Sequence, residues 1–205
     1  MKIVVAATDD QWKELTGSRP GIDWQRVNDA NDFIQHKDAD AFIYLNYDAV
    51  LPDFVSLEKP VFINTVTQTL NDLKTPANVL RINGWATFLQ RTSWEVSGHM
   101  NENIKTIFKT LNIKINTVAD EPGFIAARII AMIINEAYFA VNDKVSSKNE
   151  IDTAMKLGTN YPYGPFEWAE LIGSKHILAL LQKLNTTDSR YEPAALLINE
   201  VKETN

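Results

Sequence analysis

Apolar and polar positions along the chain change their rhythm once. Up to about residue 119, short apolar runs bounded by turn residues alternate with amphipathic stretches. Ile3–Ala7, Ile22–Val27, Asp40–Leu45, Lys59–Asn64 and Asn78–Asn83 read as strands, and Lys114–Val118 alternates like an edge strand. Thr8 with Gln11 three residues later forms a capping-box pattern, so a helix is expected from Asp9. Further helices are expected at Asn28–His36, in fragments near Thr67–Leu73, and at Asn101–Leu111, where Ile104, Ile107, Phe108 and Leu111 share a face. Gly17 to Gly21 reads as a turn.

From residue 120 onward the period is helical. The longest pattern runs from about Pro122 to Val141, with Pro122 in its first turn and Asp120 and Glu121 at its N-terminus. Ile125, Ile129, Met132, Ile133, Glu136 and Phe139 recur at helical spacing, while Ile130, Ala131 and Ile134 fill other faces. A helix apolar nearly all round is buried by more than one neighbour, so it is expected to be shared between two domains or two subunits. Ser146 or Ser147 caps a helix to Leu157 with Glu150 in its first turn and Gly158 as its stop. Pro165 opens a helix over Phe166–Ile172, and two more follow at Lys175–Leu184 and Glu192–Lys202. The expected architecture is an α/β domain with a mainly parallel sheet over 1–119, then an all-α helical domain over 120–205.

Composition narrows the function classes. The chain has 205 residues, 45% of them hydrophobic and 22% charged, with a formal charge of -6. That balance speaks against nucleic acid or an anionic membrane as partner. No Cys occurs, which removes thiolate metal sites and Cys nucleophiles. His36, His99 and His176 show no metal-ligand spacing. The N-terminus lacks a signal-peptide pattern, and a cytoplasmic location without membrane contact is expected.

A strand that turns directly into a helix is how dinucleotide-binding domains begin. Here the glycines that admit a pyrophosphate are absent, and Asp9 and Asp10 occupy the first helical turn where an anion would sit. No bound cofactor is therefore expected from these residues.

Four blocks carry a resemblance. Asp120-Glu121-Pro122-Gly123-Phe124-Ile125-Ala126-Ala127-Arg128, Asn135-Glu136-Ala137, Glu150 to Gly158 and Tyr161-Pro162-Tyr163-Gly164-Pro165-Phe166-Glu167 together resemble the C-terminal domain of 3-hydroxyacyl-CoA dehydrogenases. Upstream, Ile63-Asn64-Thr65-Val66-Thr67 is similar to the family's Asn-Thr-Ser-Ser turn, and Asn83 through Val96 to the stretch holding its catalytic His and Glu. The resemblance implies a Rossmann-like α/β domain, here reduced by some tens of residues, and a helical domain through which a homodimer forms. It also implies fatty-acid metabolism, NAD as cofactor and an acyl-CoA as substrate. In that chemistry a His takes the proton of the 3-hydroxyl and a Glu orients and charges the His.

Carried over residue by residue, most of that machinery is replaced. The family's His falls at Asn83, twelve positions before Glu95. Its Asn falls at Ala127 and its Ser at Val66, with Thr67 beside it able to offer a hydroxyl. Glu95 matches the family's Glu and is the candidate catalytic residue; a partly desolvated Glu between Trp85 and Trp94 would be a base in its own right, and a solvated or salt-bridged Glu is the plainer reading. Asn64, Thr67 and Asn83 are the candidate substrate-binding residues, with turn-stabilising hydrogen bonds as the plainer role for the first two. His99 is a weaker substitute for the lost His. Two functions follow. One is a degenerate homologue without NAD-dependent catalysis, a pseudoenzyme serving as a dimeric binding or accessory protein for an acyl-CoA or related thioester. The other is an active 3-hydroxyacyl-CoA dehydrogenase-like oxidoreductase with a rearranged site.

Overall fold

The computed structural model describes residues 1–17, 19–47 and 51–204. It divides into two compact units, Met1–Phe124 and Ile125–Asn205. Ser18, inside the expected Gly17–Gly21 turn, lies outside the described residues.

The first unit is built on a seven-stranded sheet: β1 (Lys2–Ala6), β2 (Asp23–Val27), β3 (Ala41–Tyr44), β4 (Val61–Asn64), β5 (Val79–Ile82), β6 (Ser93–Ser97) and β7 (Lys114–Thr117), in spatial order β2-β1-β3-β4-β5-β6-β7. Every neighbouring pair is parallel except β5 with β6. The near-continuous apolar runs of β1 and β3 are explained by burial on both faces. Ile3, Val5, Ile43, Phe62, Leu80, Ile82 and Val96 face a layer formed by Leu15 of α1 (Asp9–Thr16) and Ile104, Ile107 and Phe108 of α3 (Glu102–Thr110). On the other face Val4, Ala6, Phe42, Tyr44, Val61 and Ile63 meet Phe33, Phe54 and Leu57.

Two crossovers of this unit are short. The stretch Asn28–His36, expected as an α-helix, is a 3-10 turn over Ala30–Gln35, with the Asp29 carboxylate accepting the Asn31 N–H at 2.7 Å. Between β4 and β5 runs the single turn α2 (Leu70–Leu73). Aromatic rings pack against this face of the sheet: Phe33 lies 4.8 Å from Phe42 and 6.1 Å from Phe54. The usual dinucleotide-binding order places two strands outside the first one, and here β2 alone occupies that side. Strand β6 was not foreseen: its apolar positions Trp94 and Val96 alternate with the polar Ser93, Glu95 and Ser97 over too few residues to stand out.

The sharpest departure from the sequence pattern is at Asp120–Ile125. The long helix α4 begins at Ala126 and runs to Asn142, so Pro122 is not its first turn. Gly123 (φ 86°) and Phe124 (φ 49°) are left-handed and bend the chain ahead of it. Asp120 serves a different helix. Its carboxylate accepts the N–H groups of Leu70 and Asn71 at 3.1 and 3.2 Å, at the start of α2, and pairs with the Arg81 guanidinium at 2.6 Å. Arg81, a side chain on β5, is fully buried. It also donates to the carbonyls of Thr65 (3.0 Å), Val66 (3.2 Å) and Glu121 (3.3 Å), and the Phe124 ring sits 4.6 Å from its charge. Burial lowers the Arg81 pKa and the Asp120 carboxylate opposes that shift.

In the second unit α4 packs against α5 (Lys148–Thr159), α6 (Pro165–Ile172), α7 (Ser174–Asn185) and α8 (Ala195–Glu203). Ala127, Ile130, Ala131, Ile134, Ala137 and Tyr138 are buried in this bundle. Ser147 and Glu150 form the capping box of α5, and hydrogen bonds from Ser147 and Ser146 hold the Glu150 carboxyl at about 2. Gly158 does not end that helix. It is the penultimate helical residue, and Asn160 makes the left-handed exit (φ 56°) that Gly158 was expected to make.

Polar side chains fix the bundle's turns. Buried Asn135 donates to the Glu192 carbonyl and accepts from the Ala194 N–H, both at 2.8 Å. Asp152 accepts from the N–H groups of Phe166 (2.8 Å) and Glu167 (3.2 Å), capping α6. A Cβ on Gly164 would lie 2.3 Å from Asp152 Oδ1, so only glycine lets the two approach. Glu167 accepts the Gly164 N–H at 2.9 Å and pairs with Lys156.

Removing one partner of the buried pair is far worse than replacing the pair's buried charge. Asp120→Ala, which strands Arg81, is expected to destabilise the α/β unit by about 3–5 kcal/mol in urea unfolding. Arg81→Met, which fills the same space and leaves Asp120 partly solvated, is expected to lose distinctly less. Equal losses would contradict the role given to the ion pair.

Candidate functional site

Open parallel sheets bind ligands beyond the carboxyl ends of their strands, at the point where successive crossovers diverge. Here that point lies between β1 and β3, because β2 sits on the far side of β1. The protein's own side chains occupy it. Gln11 of α1 donates to the Leu45 carbonyl at 3.0 Å while also completing the capping box with Thr8. Arg26, at the end of β2, donates twice to the Ala7 carbonyl (3.2 and 2.7 Å) and pairs with Asp9 at 2.6 Å. Its guanidinium lies 5.9 Å from the Trp12 ring. The Asp9 carboxyl is lowered by its hydrogen bond and charge pairing with Arg26. An anionic ligand at the α1 N-terminus would have to displace Arg26 and face two carboxylates.

The polar candidates collect along the same edge, further across the sheet. Asn64, at the end of β4, accepts the Gly84 N–H at 2.9 Å and donates to the Leu45 carbonyl at 3.0 Å, so both ends of its amide tie neighbouring strands together. A Cβ on Gly84 would fall 2.7 Å from Asn64 Cγ. In the same turn the Thr65 hydroxyl donates to the Gln68 carbonyl at 3.3 Å, and Thr67 is half-buried. Asn83, just beyond β5, is 4% exposed. Its Oδ1 accepts the Trp85 N–H at 3.3 Å, and its Nδ2 has no partner among the described residues.

Glu95 lies on β6, half-buried. Alternation sends its neighbours Trp94 and Val96 into the α1/α3 layer, so Glu95 points to the opposite face, with Ser97. It is therefore not enclosed between Trp85 and Trp94. The antiparallel register pairs Ile82 with Val96; continued by one residue, it sets Asn83 across from Glu95. His99 is exposed and precedes Asn101, the side chain that caps α3 through the Ile104 N–H. Ala127 is fully buried inside α4.

One residue of this edge escaped the sequence reading. Thr87, 8% exposed, has a left-handed backbone (φ 77°) and a hydroxyl with no partner among the described residues. A β-branched residue rarely adopts that conformation, and no pattern in the chain announces it.

In the helical unit a groove of about 690 Å³ runs along α4, floored by Ile129, Met132, Ile133 and Met155 and edged by Arg128, Glu136 and Arg190. Ile129 is 54% exposed, although it belongs to the apolar stripe. Among the described residues there is no group of three His, Cys, Asp or Glu that could hold a metal ion. No helix among them is long and apolar enough to cross a membrane.

The model of the 3-hydroxyacyl-CoA dehydrogenase C-terminal domain matches residues 123–205. Those residues are similar to that domain over its matched length. Over 82 residues the chain is 49% identical to the 3-hydroxyadipyl-CoA dehydrogenase of Escherichia coli (strain K12), which is 39% of this chain and 17% of that protein. Over 114 residues it is 39% identical to the 3-hydroxybutyryl-CoA dehydrogenase of Clostridioides difficile, 52% of this chain and 41% of the relative. The matched parts thus span less than half the length of these curated relatives. The crystal structure of the (S)-3-hydroxybutyryl-CoA dehydrogenase of Ralstonia eutropha superimposes with a TM-score of 0.72 over 99% of this chain and 94% of that one, at 19% identity. That likeness establishes the fold, a Rossmann-like α/β part followed by a helical part.

The 3-hydroxyacyl-CoA dehydrogenase resemblance at Asn64 has a structural content that can be measured. Asn64→Ala leaves the Gly84 N–H unmatched and is expected to destabilise the α/β unit by about 1–3 kcal/mol in chemical denaturation. Asn64→Asp, which keeps the acceptor for Gly84, is expected to recover part of that loss.

Proposed function

We propose that this protein is a 3-hydroxyacyl-CoA dehydrogenase-like protein that binds an acyl-CoA or related thioester without NAD-dependent catalysis. The observation that carries this reading is Asn83. It stands where the family's resemblance places the general base, and a carboxamide does not take up a proton near neutral pH. The crossing of Arg26, Asp9 and Gln11 over the divergence between β1 and β3 supports it, because those groups take the place of a dinucleotide's phosphates. Glu95 keeps the carboxylate half of the dyad. Asn83 and Thr67 are the side chains assigned to the ligand's oxygens.

The competing reading is an active oxidoreductase of the kind named for the relatives in Escherichia coli and Clostridioides difficile. It needs a nicotinamide and a base, and Glu95 would have to be that base. The helical unit is assigned to homodimerisation. The α4 groove is apolar along its floor and carries Arg128, Arg190 and Glu136 at its edges, so a second copy related by a two-fold axis can bring unlike charges together over buried apolar surface. A cytoplasmic location fits a chain with no Cys.

Energy transfer from the five Trp residues to NADH separates the two readings. Titration is expected to give none at micromolar NADH, and acetoacetyl-CoA reduction is expected to stay at background. Saturable transfer with turnover would establish the oxidoreductase instead. An acyl-CoA at about 100 times its Kd should stabilise the protein by about 2.7 kcal/mol in thermal unfolding, and flat curves across chain lengths would remove the binding role.

Light scattering at micromolar concentration is expected to report twice the chain mass of 23.2 kDa. Met132→Glu, placing a charge on the groove floor, is expected to shift the population to monomer. A monomeric parent protein would exclude the groove as a dimer face.

A further inference from the structure

At the amino ends of β3 and β4 a cleft of about 290 Å³ opens between the 3-10 turn and the loop that precedes β4. Its floor is apolar: Phe42 and Leu57 are buried, and Ile34 beside them is 51% exposed. Its rim carries Lys37, Lys59 and Glu58, all exposed. Among the described residues no ion pair engages any of these three charges.

The walls are held in place. Asn78 Nδ2 reaches the carbonyls of Phe54 (3.2 Å), Leu57 (2.5 Å) and Lys59 (3.1 Å), which ties the loop to the start of β5. The Phe33 ring backs Phe42 at 4.8 Å. The cleft is thus formed before anything enters it, so little ordering entropy opposes a ligand.

Two ammonium groups against one carboxylate leave the rim at +1 (2 − 1), a locally positive spot on a chain of formal charge -6. An apolar floor under a cationic rim is complementary to an amphipathic anion. The Lys stems extend the apolar surface while their heads stay in water. A Lys ammonium is a point charge, and a carboxylate matches it without the fork geometry that Arg imposes. Ligand cavities span about 300–1,000 Å³, so this one suits a single short chain.

We infer that this cleft binds a short- to medium-chain alkyl carboxylate, its head at Lys37 and Lys59 and its tail on Ile34, Phe42 and Leu57. The site is separate from the acyl-CoA reading above, because it lies at the opposite ends of the strands. Binding is non-covalent.

Amide chemical-shift mapping on the full chain, with butyrate, hexanoate and octanoate below micelle formation, tests it. Octanoate is expected to shift residues 34–42 and 56–59 saturably, and affinity should rise about fourfold per added CH2. Octylamine, with the same tail and the opposite charge, should bind about fivefold weaker. Lys37→Met and Lys59→Met should each weaken octanoate about two- to fivefold, and Glu58→Gln should tighten it by a similar factor. Ile34→Glu, a charge in the path of the tail, should abolish the shifts. These side chains are exposed, so parent-like spectra are expected from every variant. Shifts confined to the α4 groove, no shift with any carboxylate, or equal affinity for octylamine and octanoate would each overturn the inference. Folded lysine variants that bind octanoate unchanged would do so too. None of these outcomes bears on acyl-CoA binding, whose test uses thioesters.

Discussion

A guanidinium with no access to water has to find acceptors, and the α/β unit is arranged around the ones Arg81 finds. Its charge is balanced by Asp120, and its remaining N–H groups reach the carbonyls of Thr65, Val66 and Glu121. Three segments distant in sequence are therefore held by one side chain: the turn after β4, strand β5 and the stretch before Phe124. The pair is stabilising only as a unit, since a buried ion without its counter-ion pays the full desolvation penalty. Asp120 does more than neutralise. By accepting the N–H groups of Leu70 and Asn71 it completes the start of α2, whose other end-groups are met by the Thr69–Asp72 capping box.

That double use of Asp120 explains where the amino-acid pattern misled. Asp-Glu-Pro-Gly before a long apolar run has every local mark of a helix start, and the pattern holds no trace of a buried Arg81 forty residues earlier. Local signals describe a helix that begins at Pro122, and a long-range charge pair moves the start to Ala126. The same limit applies to Asn28–His36. Its composition suits a helix, but with so few residues a 3-10 turn closes the crossover. Where the signal is local and strong, the reading and the structure agree: the Thr8–Gln11 and Ser147–Glu150 capping boxes form as the sequence suggests.

The site was legible in part, and for a definable reason. Matching Asn83 and Glu95 to one family stretch brought the two together on paper, and the antiparallel register of β5 with β6, a strand the pattern did not announce, sets them across from each other. What could not be seen is which face each side chain takes and what it bonds. Asn64, a candidate ligand residue with turn stabilisation as its plainer role, has both amide ends engaged by backbone. Arg26, to which the amino-acid pattern assigns no role, lies across the Ala7 carbonyl. Thr87 gave no signal, since backbone strain at a single Thr has no compositional signature.

The blocks that carry the family resemblance consist largely of residues with folding work of their own. Asn135 holds the Glu192–Ala194 segment, Asp152 caps α6 and requires Gly164, and Glu167 closes the same turn against Lys156. Each satisfies backbone groups that burial would otherwise strand. These folding roles are the same whether or not a hydride is ever transferred. The positions to which the resemblance would assign chemistry are Asn83, Val66 and Ala127, where this chain departs from the family pattern. High identity in the helical unit is therefore evidence about architecture, and the question of activity rests on a handful of side chains in the other unit.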